Sequence, residues 1–186
     1  KNILFKSINI FNIINFNKKP VKQSSIKKMM DKMKHRGPDD DGIFLDENIG
    51  FGFVRLSIID LSDAGHQPMF DQSGRFMIIH NGEVFNYIEL RNELLSKGYN
   101  FSSDTDTEVI LYSFIEWGPA CLEKFNGMWA FCIYDRAKSK LFLSRDRYGI
   151  KPLYYFCIAM CVCFLLLFSK EKSKYKLYRT NIFFFG

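Results

Sequence analysis

From residue 1 to residue 16, Ile, Phe and Leu alternate with Asn, Lys and Ser. A period of two predicts a strand, which Lys18-Lys19-Pro20 ends. The period then lengthens: Ile26, Met29, Met30 and Met33 recur at helical spacing, with Ser24 or Ser25 as the predicted cap. His35-Arg36-Gly37-Pro38-Asp39 interrupts the pattern as a loop. Residues 49–54 and 56–61 read as strands with Arg55 held between them, and residues 65–69 as a turn. An apolar strand over 76–79 stops at Asn81-Gly82-Glu83. Beyond it Tyr87 or Ile88, Leu90, Leu94 and Leu95 line one helical face, ended by Gly98. Residues 103–108 supply caps and first-turn acids for a further helix. It is expected to bury Val109, Ile110, Tyr112, Phe114 and Ile115 and to break at Gly118-Pro119. Residues 128–134 are apolar without interruption, which predicts a strand covered on both faces, and residues 135–139 turn it back into 140–144. Short strands, hairpins and interspersed helices predict an α+β fold with antiparallel sheets.

Composition changes this picture little. The 186 residues are enough for one domain with a core, and 47% apolar with 25% charged is ordinary for a globular chain. The net charge of +6 sits at the ends, which carry +7 (residues 1–28) and +4 (169–186). The middle therefore holds −5, and nucleic acid is not an expected partner. Cys121, Cys132, Cys157, Cys161 and Cys163 show neither a disulfide framework nor paired metal spacing, so no metal is expected. Their odd number suits a reducing compartment, and the chain is expected to be cytoplasmic, with no signal peptide in view. Residues 153–168 are sixteen consecutive apolar residues. A spanning helix needs about twenty, whereas their Tyr, Phe, Val and Ile content suits two buried strands. The strands are preferred and membrane association is not expected. Asn81-Gly82 also leaves two readings open on its own: a hairpin turn, or an amide and a backbone N–H aimed at one developing negative oxygen.

A set of short words in fixed order narrows the choice: His35-Arg-Gly-Pro-Asp39, Arg55-Leu-Ser-Ile-Ile-Asp60, Gly65-His-Gln-Pro-Met69, Asn81-Gly-Glu83, Asp106-Thr-Glu-Val-Ile110, Phe125-Asn-Gly-Met128 and Arg145-Asp-Arg-Tyr-Gly-Ile-Lys-Pro152. From about Ile8 to Glu171 the chain resembles the class II glutamine amidotransferase domain at the front of glutamine-hydrolysing asparagine synthetases. The resemblance implies an N-terminal-nucleophile hydrolase sandwich of αββα layers over residues 1–171, followed by a poorly ordered basic tail, 172–186. It implies that Asn81 and Gly82 form the oxyanion hole. Arg55 would grip the α-carboxylate of glutamine, and Asp106, assisted by Glu83, would accept from the α-ammonium. Arg55 in a structural ion pair and Asp106 as a helix cap are the plainer readings of those residues. His35 and Arg36 are taken as loop architecture, and His66 and His80 receive no role.

The family's nucleophile is a Cys at the mature N-terminus, whose own α-amine is the base. Here Ile8 stands in its place, Asn12 replaces a Gly, Phe53 stands where a His is usual, and seven residues precede Ile8. None of the five cysteines is expected to substitute. The Ser-Gly-Gly-x-Asp-Ser phosphate loop of the synthetase domain is absent as well. ATP and Mg²⁺ are therefore expected only on a synthetase domain that normally lies in cis, and no cofactor on this chain. The expectation is the glutaminase half of an asparagine synthetase, inactive as written. A glutamine-binding module without catalysis is the alternative, and a membrane-tethered fragment ranks third.

Overall fold

The alternating start of the chain folds as two strands rather than one. In the computed structural model, which describes residues 2–7, 9–57, 62–157 and 182–185, β1 (Asn2–Lys6) and β2 (Ile10–Asn15) pair antiparallel. Ser7 N–H closes the bend between them on the Ile10 carbonyl, at 3.0 Å. A period of two is identical on both sides of a reversal, so it cannot report one. Ile8, residues 58–61 of the expected second strand, residues 158–168 of the apolar run and most of the basic tail lie outside the described residues.

Among the described residues two five-stranded sheets follow, with every pair antiparallel. In the first, β3 (Asp40–Asp46), β4 (Ile49–Arg55), β2, β1 and β9 (Tyr154–Cys157) are neighbours in that order. In the second the order is β10 (Ile182–Phe185), β8 (Lys140–Arg145), β7 (Gly127–Asp135), β6 (Phe76–Val84) and β5 (Met69–Phe70). β3 was missed because three aspartates mask its alternation. β5, read as part of a turn, is only two residues long. β10 lies within the expected tail.

Three apolar layers hold the sheets and helices together. Phe11, Ile13 and Val54 pack under Ile26 and Met30 of α1 (Gln23–Asp31). Ile10, Phe51 and Phe53 of the first sheet meet Met77, Ile79, Cys132 and Leu143 of the second. Ile78, Trp129, Phe131 and Ile133 face Leu90 and Leu94 of α2 (Tyr87–Ser96) and Val109 and Ile110 of α3 (Asp106–Trp117). The layers are α, β, β, α, as expected. β7 is covered on both faces, and each large side chain buried there contributes about 1.5–3 kcal/mol. Two helical expectations need correction. α1 has Lys22 at its cap with no side-chain bond, so neither Ser24 nor Ser25 caps it. On α2, Ile88 and Leu95 face solvent.

α3 is fixed at its start by its own sequence. Thr105 Oγ1 accepts from Glu108 N–H at 3.2 Å, and the Glu108 carboxylate reaches back to the backbone of Ser102 and Ser103. The first bond satisfies a helix donor that would otherwise be orphaned, and the second ties the loop before the cap to the first turn. Among the described residues no helix is long and apolar enough to cross a membrane.

Candidate functional site

Asn81 and Gly82 do not form a turn. They lie inside β6, paired with Ala130 and Trp129 of β7. Gly82 is obligatory there: its φ is +149°, and a Cβ would come within 2.1 Å of the Met128 carbonyl oxygen. Strand alternation turns Ile79 and Asn81 toward the first sheet. Asn81 Nδ2 accordingly donates to Ser7 Oγ at 3.0 Å, across the gap between the sheets.

Asp106, the first residue of α3, is buried, and its Oδ2 accepts the Val84 N–H at 2.9 Å. That bond ties the helix start to the end of β6, three residues beyond Asn81. Arg55 ends β4 and is also buried. Its Nη1 donates to the Ser62 carbonyl at 3.0 Å, and its guanidinium lies so close over Gly65 that a Cβ there would be 2.0 Å from Nη2. Gly37 explains the Arg-Gly-Pro-Asp word in the same way, because a Cβ would meet the Val54 carbonyl carbon at 2.5 Å. The loop can then close on β4, where Asp39 N–H bonds the Arg55 carbonyl and Asp39 Oδ2 accepts Ser57 N–H at 2.8 Å.

Arg55, Asn81, Gly82 and Asp106 all line one cavity of about 490 Å³. Four residues from three segments, spread over about fifty positions of the chain, thus line one cavity. Glu83 is half-buried and is not among the lining residues. His35 and Arg36, read as loop architecture, do line it, and so do Asn9, in the bend before β2, and Phe53 of β4.

Sequence reasoning missed Lys151, Gln67 and His80. Lys151 reaches the cavity because Asp146 organises the loop after β8. Its carboxylate, fully buried, accepts from the backbone N–H groups of Tyr148, Ile150 and Lys151 at 3.1, 2.9 and 2.9 Å. The Arg145–Pro152 word was the available signal, since its Asp sits where a turn needs an acceptor. His80 is buried, with Nδ1 3.1 Å from Thr107 Oγ1 and 4.0 Å from Asp106 Oδ2. Its Nε2 has no partner among the described residues. Burial pushes its pKa below the usual range, against the pull of Asp106 and with the help of Lys151. The imidazole is neutral at pH 7, and no other signal in the chain had marked it.

No described thiol is placed to attack a substrate. Cys121 and Cys132 are buried; burial pushes the Cys121 thiol up to about 12 and raises that of Cys132 as well.

The family described as glutamine amidotransferase domain matches residues 8–175. The chain belongs to that family. This amidotransferase domain is 48% identical over 163 residues to asparagine synthetase [glutamine-hydrolyzing] 1 of Bacillus subtilis, covering 85% of this chain and 25% of that protein. It is 45% identical over 164 residues to the putative asparagine synthetase [glutamine-hydrolyzing] 2 of Methanocaldococcus jannaschii, covering 77% and 31%. The chain thus spans about a quarter to a third of the length of these relatives. The solved glutamine phosphoribosylpyrophosphate amidotransferase of B. subtilis overlays it with a TM-score of 0.49 at 20% identity, covering 60% of this chain and 28% of that one.

Proposed function

We propose that this domain is the glutamine-binding part of a glutamine-hydrolysing asparagine synthetase and that, with isoleucine at position 8, it holds glutamine without hydrolysing it. The observation that carries the reading is the single cavity shared by Arg55, Asp106, Asn81 and Gly82. A guanidinium matches a carboxylate in two parallel bonds, so Arg55 takes the α-carboxylate. Asp106 takes the α-ammonium through Oδ1, since Oδ2 already accepts the Val84 N–H. Asn81 and Gly82 then receive the side-chain carbonyl oxygen at the opposite end.

Hydrolysis needs more than binding. A thiolate must add to that carbonyl carbon, the C–N bond must break with a proton delivered to the departing ammonia, and water must then release glutamate. Position 8 supplies no sulfur, and an amide nitrogen inside the chain is no base. A synthetase domain in cis, where ATP and Mg²⁺ act, is the proposed consumer of ammonia in the family's intact form. Two buried free thiols support a reducing, cytoplasmic setting.

Titration calorimetry with L-glutamine tests the pocket. Heat is expected from the unaltered chain, with affinity lost by at least about thirty-fold in Arg55→Ala, the loss of a charged, bidentate contact. Absence of heat from the unaltered chain removes the pocket. In parallel, no ammonia is expected from glutamine, and release matching a Cys-starting amidotransferase domain refutes the inactive reading.

A further inference from the structure

Ser7 belongs to no motif, and it stands one residue before the position at which the family match begins. It is nonetheless 1% exposed, and its hydroxyl is the described partner of the Asn81 side-chain amide, at 3.0 Å. Backbone on both sides fixes it. Its N–H is bonded to the Ile10 carbonyl, and the preceding residue, Lys6, is paired with Phe11 of β2 and Tyr154 of β9. Asn81 lines the cavity and Ser7 does not. The hydroxyl therefore holds the amide from behind, at the end of a paired strand.

We infer that Ser7 is a positioning residue for the oxyanion donor: it orients the Asn81 amide so that the remaining N–H of Nδ2 faces the cavity. The inference rests on the reading of Asn81 as the donor to the ligand carbonyl. An Asn side chain turns freely about its last bond unless something bonds it, and a primary amide carries two N–H groups. With one N–H committed to Ser7 Oγ, the amide plane is set and the other is directed elsewhere. A donor held in advance binds a carbonyl without the cost of ordering it on arrival. Ser7 thus decides how well the site distinguishes a carboxamide side chain from an aliphatic one, while the amino-acid head group is held independently by Arg55 and Asp106.

The test compares L-glutamine with L-norvaline, which keeps the head group and lacks the carboxamide, in the full chain and in Ser7→Ala. Calorimetry is expected to show glutamine weakened about five-fold by Ser7→Ala, the worth of one hydrogen bond, and norvaline unchanged. A spectroscopic readout needs no ligand: hydrogen exchange of the Asn81 side-chain amide, followed by NMR, is expected to quicken at least ten-fold in Ser7→Ala. Tighter glutamine binding in Ser7→Ala would show the hydroxyl sitting in the carbonyl's place and would overturn the inference. Equal weakening of both ligands, or an unchanged Asn81 amide signal, overturns it too. If neither ligand binds the unaltered chain, the glutamine pocket is what fails, and the Asn81 signal still decides whether Ser7 orients the amide.

Discussion

Where β8 gives way to the loop carrying Lys151, the carboxylate of Asp146 is fully buried and accepts three backbone N–H groups. On the opposite sheet, in β2, Asn12 is equally buried and neither atom of its amide has a partner among the described residues. Asn12 faces the inter-sheet core on the same side as Ile10 and Ile14, at a position where the resemblance leads one to expect Gly. The two residues show that burial by itself does not set the energy of a polar group; its partners do. The loop that brings Lys151 to the cavity is fully bonded at its buried acid, whereas β2 carries an unsatisfied amide into the inter-sheet core.

The largest effect should come from unmaking the well-bonded side. Asp146→Ala strands three backbone donors and is expected to cost about 3 kcal/mol, read by urea unfolding. A loss below about 1 kcal/mol would erase the contrast. On the other side the sign reverses: Asn12→Ala is expected to stabilise the fold by about 1–2 kcal/mol, since it removes an orphaned amide. Destabilisation there would mean that the amide finds a partner after all.

The smallest effect sharpens the comparison with a titratable group. The pKa of His80 is lower in the fold than in the unfolded chain because burial disfavours its charged form. Below the ordinary histidine value of about 6.5 the unfolded chain binds the extra proton, so stability falls as pH drops through that value and is unaffected by His80 above it. The limiting slope is about 1.4 kcal/mol per pH unit. Urea unfolding between pH 7 and pH 5 should show that fall, and His80→Gln should flatten it. Asp135, whose pKa is depressed by the Arg75 guanidinium bonded to it, loses its contribution only below pH 4 and does not intrude on this window.

Much of the molecule was legible in its sequence. The long runs of β7 and α3 were, because a strand covered on both faces and a helix with reciprocal caps each write a distinctive local pattern. That Arg55 and Asp106 meet at one cavity was legible too, since they sit in words whose glycines and caps are dictated by close packing. What escaped depends on contacts between distant segments. Alternation did not show the reversal at Ser7, and nothing near His80 announced that Thr107 and Asp106 would close over it. Lys151 entered the cavity only through a loop folded around Asp146. The turn-like look of Asn81-Gly82 misleads for a related reason: the dipeptide reports that positive φ is tolerated, not whether the chain uses it to turn or to press a strand against its neighbour.

β1 occupies an inner place in its sheet, between β2 and β9. Exposing an amine at residue 8 by trimming the chain therefore does more than free a terminus. It leaves β9 without the neighbour it pairs with and opens β2 along one whole edge. An engineer seeking to install Cys chemistry at that position must supply a substitute for the lost strand, and a terminal amine and an intact sheet become competing demands on the same seven residues.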